Sequence, residues 1–466
     1  MSSQELKAPP FEPAQEEERL LDRCEKLVEL AVAGGADEAE AFGTFSHVAC
    51  VSFEKGDLKM AQLDDGTSIG LRVFKDGKQG FTSTNQTETS SLEEAASDAC
   101  TLAGFSVADE MNVLPEARTL LQEPGGLVQP EVGAFGLEQV VECGREFVER
   151  TRARDARIAI DKADAQASRV SVAVHSTRGV HLSESDASVG VSIFGMAVDG
   201  DDVGGFDYWG GNVRELSRLA ALTDETVDRF VEAVIGNLGA GAAESYTGPV
   251  LFSPAAFLSC FVSPVVSASS AIAVQRGRSA LGGKLGQSIA DSGFSVLDDP
   301  TDLELSGACC FDREGQPTAP FPIVREGELQ SYLYNAYAAK VDGTTSTGHG
   351  SGGARSVPGL GPHAISVAAG SGGDRDAMLK TLDRGLFVQR FSGTVDPASG
   401  DFSGVAKSAR WVENGKVVRS LKETLISGNA FELLNRICAL SSSTETIFSS
   451  ARAPFALIDG LSVTAG

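Results

Sequence analysis

The feature that most constrains this chain is a C-terminal run, residues 392–429, in which turn formers and strand formers alternate: S-G-T-V-D-P-A-S-G-D-F-S-G-V-A-K-S-A-R-W-V-E-N-G-K-V-V-R-S-L-K-E-T-L-I-S-G-N. Asp396-Pro397 followed by Ser399-Gly400 predicts a tight turn, because Pro fixes φ at the second position and Gly accepts the positive φ that other residues resist. Residues 402–412 and 416–426 then read as two strands joined at Asn414-Gly415, the pair best suited to a type I′ hairpin turn. Asn429 follows as a candidate N-cap for a helix over 430–440.

With 466 residues, 42% hydrophobic and 22% charged, the chain is expected to be a soluble globular protein of two to three domains. Its 39 basic and 64 acidic side chains leave a net charge of −25. Direct binding to nucleic acid or to an anionic membrane is therefore excluded from the expected functions, since phosphate contact needs clustered Lys and Arg. Eight cysteines are scattered without a C-x-x-C pair, which predicts reduced thiols in a cytoplasmic protein. Residues 1–14 lack the basic-then-apolar order of a signal peptide and read as a disordered lead-in. The uncharged stretch 245–275 is broken by Pro249, Pro254 and Pro264. It predicts a buried strand and a buried, kinked helix over 254–274 rather than a membrane span.

The expected fold class is α+β. Residues 15–240 should form an α+β domain: a helix over 16–33, an antiparallel meander of about four strands over 38–83 with turns at Lys55-Gly56-Asp57, Asp65-Gly66 and Asp76-Gly77, and a helix over 91–104 capped by Ser90 and Glu93. A connector over 113–133, a helix over 137–152, strands over 158–193 with a turn at Thr177-Arg178-Gly179, a Gly- and Asp-rich loop over 199–212 and a helix over 215–238 complete it. Gly239-Ala240-Gly241-Ala242 is the predicted boundary. Residues 241–466 should form a β-rich, barrel- or sandwich-like domain around the buried helix, with a hairpin at residues 325–328 and a Gly-rich loop over 343–361.

The terminal run, P-x-x-G-D-F-S … E-N-G … G-N, resembles the signature of the TldD/PmbA family, once called modulators of DNA gyrase and now regarded as metallopeptidase subunits. G-A-D-E-A-E-A-F (35–42), D-D-G-T-S-I-G-L-R-V-F-K-D-G-K-Q-G-F (64–81) and S-T-G-H-G (346–350) are similar to family positions as well. Catalytic TldD-type members carry H-E-x-x-x-H on the helix before a G-x-S-x-x-x-G-x-x-G stretch, with a later Cys as a further ligand. That stretch stands here at Gly277 to Gly286, and counting back without a gap puts the motif positions on Val262, Ser263 and Ser267. None is a credible metal ligand. Cys438 falls upstream of the expected cysteine, in the apolar face of the predicted 430–440 helix.

The resemblance therefore implies a PmbA/TldE-type subunit with no metal and no catalytic residue of its own, paired with a TldD-type subunit that supplies zinc or iron and acts on small or unfolded peptides. His349, Gly348 and Gly350 in the Gly-rich loop, with Asp401 and Phe402 at the hairpin, are the expected contacts to substrate or partner. Two alternatives stay open: a self-sufficient peptidase using His349 with Cys or Asp residues, and a non-enzymatic scaffold whose acidic surface holds a basic partner.

Other clusters have plainer readings. His175 and His181 flank one turn and would face each other, but no carboxylate or Cys lies at ligand spacing. His47 reads as a partly buried strand residue and His363 as a strand-entry residue. Cys309-Cys310 has no nearby His in sequence and reads as structural thiols. Asp298-Asp299 and Asp302 lack EF-hand spacing and read as a solvated acidic turn.

Overall fold

The structure, a computed structural model, describes residues 11–122 and 126–465. Helix α1 (Pro13–Ala33) buries Leu20, Cys24, Leu27 and Val28 of the stripe expected from its periodicity, leaves the fifth expected member, Leu21, half-buried, and buries Ala31 as well. It begins inside the lead-in expected over residues 1–14, of which 1–10 lie outside the described residues. β1 (Glu38–Glu54), β2 (Asp57–Lys75) and β3 (Lys78–Thr84) follow as a meander of three strands, not four. Lys55-Gly56 and Asp76-Gly77 turn the chain with both residues at positive φ, whereas neither Asp65 nor Gly66 takes up positive φ. β1 and β2 pair straight through that site, Ser46 against Gly66 and His47 against Asp65.

Helix α2 (Thr89–Phe105) starts earlier than Ser90 would require. Glu88 is its N-cap residue, without a side-chain cap, so the expected capping box does not form. Pro124 and Gly125 of the connector lie outside the described residues; α3 (Pro130–Gly133) and α4 (Leu137–Arg154) come next. β4 (Ile158–Ser176) and β5 (His181–Asp199) form a long hairpin. The loop expected over 199–212 is largely strand, as β6 (Asp202–Val203) and β7 (Asp207–Val213). β7 pairs with β5 from Val189↔Val213 to Gly195↔Asp207, and position 210 takes glycine because a Cβ there would lie 2.7 Å from the Val191 carbonyl oxygen. Helix α5 (Leu219–Gly236) ends this half. The result is one seven-stranded sheet.

After Gly239 to Ala242 comes a mixed thirteen-stranded sheet with β8 (Tyr246–Phe252) inside it, parallel to residues Arg384–Val388 and antiparallel to Ala451–Ala465. Pro254–Ala268 forms a helix whose middle, Leu258–Val262, widens into a π turn just before Pro264. Pro264 has no N–H and its ring crowds the preceding turn, so the widening is the expected local response. The chain bends at Ser269-Ser270 before Ala271–Gln275, which splits the single 254–274 helix read from sequence. Phe257 and Phe261 anchor the segment, with Phe252 and Phe402, in a core where all four are at most 5% exposed.

The signature hairpin forms with a break. Asp401–Lys407 and Arg410–Glu413 are separated at Ser408, which has φ 50°, and Lys416–Ser420 is separated from Thr424–Asn429. Asn414 and Gly415 adopt φ 50° and 72° at the tip, and Asn429 caps Ala430–Leu433 by accepting from the N–H groups of Phe431 and Glu432. That helix ends far short of residue 440. Ile437–Ile447 is a strand paired with Ala451–Ala465, and Cys438 is exposed on it. The fold is thus mixed α+β with a strand-rich C-terminal region. Among the described residues no helix is long and apolar enough to cross a membrane.

Candidate functional site

Ser253 starts the Pro254–Ala268 helix by accepting from the Ala256 N–H at 3.2 Å. One side of the helix enters the core. The other borders a cavity of about 410 Å³, lined by Val262, Ser263, Val266, Ser267, Phe391 and His363 among others. Val262 is 1% exposed, while Ser263 and Ser267 are exposed, so the helix is less buried than expected on this side. The donor chemistry does not fit zinc or iron: valines offer no ligand atom and neutral hydroxyls compete poorly with water. Cys260 is fully buried in the core, where burial pushes its thiol well up. Among the described residues, no group of three or more His, Cys, Asp and Glu side chains is arranged to hold a metal ion.

Next to this cavity lies a polar cluster. Asp298, at the end of strand Val296–Asp298, is fully buried rather than part of a solvated turn. Its carboxylate accepts from the backbone N–H of His363 at 2.7 Å and of Ala364 at 2.5 Å, and lies 3.2 Å from His349 Nε2. Burial would raise this carboxyl, but the His349 hydrogen bond, the nearby His363 and the two N–H groups outweigh it and hold it below the ordinary range. His349 Nδ1 lies 2.8 Å from the Thr347 hydroxyl. His363 Nε2 donates to the Gly348 carbonyl at 2.7 Å, which leaves Nδ1 to accept from the Cys309 thiol at 3.4 Å. Folding therefore brings a His to Cys309, which the sequence spacing gave no reason to expect. The pair is not an activated nucleophile, because burial and then Glu184 push the thiol well up while burial lowers His363.

The expected contact residues separate. His349 is 2% exposed and Gly348 and Gly350 are buried, so S-T-G-H-G is a packed element and not a flexible loop. Gly348 has φ 74°, and a Cβ there would stand 2.5 Å from the Pro317 carbonyl oxygen. Phe402 is 5% exposed and its ring meets those of Phe261 and Phe391. Gly350 lines a second cavity together with Ser351, Gly352 and His363. Asp401 is exposed and accepts from Asn429 Nδ2 at 2.9 Å. His175 and His181 do face each other, Nδ1 to Nδ1 at 3.0 Å, and His47 pairs with Asp65.

A family model for the PmbA/TldA metallopeptidase C-terminal domain matches residues 245–465, and one for PmbA/TldA metallopeptidase domain 1 matches residues 39–103. The metalloprotease PmbA homologue of Haemophilus influenzae is 25% identical over 92% of this chain and 93% of its own length. The metalloprotease TldD homologue of Buchnera aphidicola is 28% identical over 35% of this chain and 34% of its own. Among solved structures, TldE from Thermococcus kodakarensis superposes with a TM-score of 0.85 at 22% identity, covering 95% of this chain and 100% of that one.

Proposed function

The chain belongs to the PmbA/TldD metallopeptidase family, and from that premise we propose that it is a metal-free TldE/PmbA-type subunit that works with a TldD-type partner to degrade or process small or unfolded peptides. The observation that carries this reading is the Pro254–Ala268 helix, which meets its cavity with Val262, Ser263 and Ser267 where a catalytic subunit needs imidazole and carboxylate. Similarity supports the same side, since the PmbA homologue aligns along 92% of the chain and the TldD homologue along 35%. The partner then supplies zinc or iron and the activating carboxylate. This subunit supplies cavity wall and sheet surface, and an extended peptide suits such a surface because backbone hydrogen bonds grip it with little sequence preference.

The cytoplasm is the proposed compartment, consistent with scattered cysteines that hold no C-x-x-C pair. The arrangement nearest to a self-sufficient peptidase is Cys309 with His363, and its raised thiol opposes that role. The decisive experiment mixes the purified chain with a TldD-type subunit and assays cleavage of an unstructured peptide. Activity only in the mixture is expected; full cleavage by this chain alone in chelator would reject the reading.

A further inference from the structure

Two separate hollows meet at one pair of rings. The cavity beside the Pro254–Ala268 helix and a groove of about 750 Å³ on the N-terminal sheet are both lined by Tyr208 and Phe448. Their rings stack with centroids 5.6 Å apart and planes at 22°. The groove crosses five strands, from Met60 on β2 over Cys50, Gln166 and Ser192 to Asn212 on β7. At the usual strand spacing that is roughly 19 Å, about the length of six extended residues.

Phe448 is held at this junction by backbone of a kind the chain otherwise builds with glycine. Among the described residues, Lys55-Gly56, Asp76-Gly77, Glu326-Gly327 and Asn414-Gly415 are consecutive pairs at positive φ, each ending in Gly. Phe448-Ser449 is the exception, at φ 50° and 53°. Bulky residues resist this region, and such strain persists only where surrounding contacts enforce it. Here they do: the Ser449 hydroxyl donates to the Asn212 carbonyl at 2.8 Å and accepts from the Asn212 N–H at 2.9 Å. The Ser306 N–H donates to the Ser449 carbonyl at 2.6 Å. A glycine would relax the turn but lose the hydroxyl clamp to β7, and no residue smaller than an aromatic would present a ring to both hollows.

The charge around the rings narrows the occupant. Arg390 lies 4.3 Å from the Tyr208 ring centroid. Among the described residues, it and His363 are the basic side chains lining the smaller cavity and no carboxylate lines it, despite the chain's net charge of −25. A cationic side chain entering there would meet a guanidinium whose own partner, the buried Asp207 at 2.9 Å, does not line the cavity, whereas an apolar one would find Val262, Val266 and Phe391.

We propose that Tyr208 and Phe448 are the side-chain-selective contact of a peptide channel: an extended peptide lies in the groove and packs an aromatic or large aliphatic side chain on the paired rings at the mouth of the smaller cavity. This inference rests on the reading of the chain as a peptide-handling subunit. The test titrates the full-length chain into labelled extended peptides, identical except for a central Phe, Ala or Lys, and follows fluorescence anisotropy. The Phe peptide binds most tightly and the Lys peptide least. Tyr208→Ala and Phe448→Ala each weaken the Phe peptide about three- to tenfold, the scale of one aromatic contact, and leave the Ala peptide nearly unchanged; Phe448→Tyr keeps the preference. Tyr208 is 42% exposed, so its truncation leaves a folded chain even if Phe448→Ala does not. A preference for Phe that survives both truncations overturns the inference, as does an equal loss for Phe and Ala peptides. Equal binding of all three peptides by the unaltered chain sinks this inference alone, while no binding of any of them sinks the peptide-subunit reading with it.

Discussion

Arg72 and Glu314 form an ion pair at 3.1 Å, although they lie 242 residues apart in the chain and their side chains are 5% and 0% exposed. Arg72 also holds Glu40 at 2.9 Å, and Arg313 reaches Glu40 at 3.0 Å. Two strands of the N-terminal sheet are thereby tied to the 308–318 segment of the other half. Burial raises both carboxyls, but Glu40 faces two guanidinium groups and is held below its ordinary value, while Glu314 stays raised. Removing Arg72 would leave Glu314 without its guanidinium partner and Glu40 with Arg313 alone. Arg72→Met should cost about 3–5 kcal/mol, the usual penalty for breaking a buried pair from one side. Urea unfolding monitored by tryptophan fluorescence checks it, and an unchanged midpoint would show that the network adjusts freely.

His349→Ala should destabilise the chain, although the residue lies in a glycine-rich segment. The imidazole is bonded at both nitrogens and packs edge-on against Phe321 at 4.8 Å between ring centroids. Its loss strands the Asp298 carboxylate and opens a cavity, together worth about 2–4 kcal/mol. Thermal unfolding measures this directly. An unshifted midpoint would mean that Asp298 is satisfied by its two backbone N–H donors alone.

The same cluster gives the acid side of the stability profile a defined sign. Burial pushes His363 below its ordinary value of 6.5, and Asp298 is held below 3.8. A depressed folded-state value means weaker proton binding in the folded chain. The contribution is complete above the unfolded value and is lost as pH falls towards the folded one. Asp312, raised by burial and by Glu314, and Glu314, raised by burial and by Glu40, act in the opposite direction, so a difference measurement is needed. The stability gap between the unaltered chain and His363→Asn should be wider at about pH 8 than at about pH 5. A gap independent of pH would mean that His363 titrates alike in the folded and unfolded states.

What was legible in the sequence was local. The α1 stripe, the turn at Asn414-Gly415 and the Asn429 cap depend on residues a few positions apart, and all three formed. Residues 430–440 misled because L-L-N-R-I-C-A-L has helical spacing, and only pairing with Ala451–Ala465 decides for strand from Ile437 onward. Asp65-Gly66 has turn composition, yet β1 offers a continuous partner and the strand runs on. The site was harder still. Cys309 and His363 are 54 residues apart, and the Asp298 contact to His349 depends on how two loops pack, so no spacing rule would have joined them. Phe448-Ser449 carries no turn signature at all, since its backbone is imposed by contacts to Asn212 and Ser306.

Metal removal separates this chain from its proposed partner. Any ion bound only by the folded state would stabilise it by about 2.7 kcal/mol at a hundredfold excess over its Kd, so bound zinc or iron would reveal itself as a chelator-sensitive melting temperature. The cavity by the Pro254–Ala268 helix offers serine hydroxyls and one imidazole, His363, whose two ring nitrogens are already engaged by the Gly348 carbonyl and Cys309. The His175 and His181 pair offers two ring nitrogens and, among the described residues, no third ligand gathered beside them. The isolated chain should therefore melt at the same temperature with and without chelator, and added zinc should not shift it. In the mixture with a TldD-type subunit, chelator should abolish peptide cleavage and zinc or iron should restore it. A melting temperature of the isolated chain that falls on chelation and recovers with metal would place an ion in this subunit and overturn the division of labour.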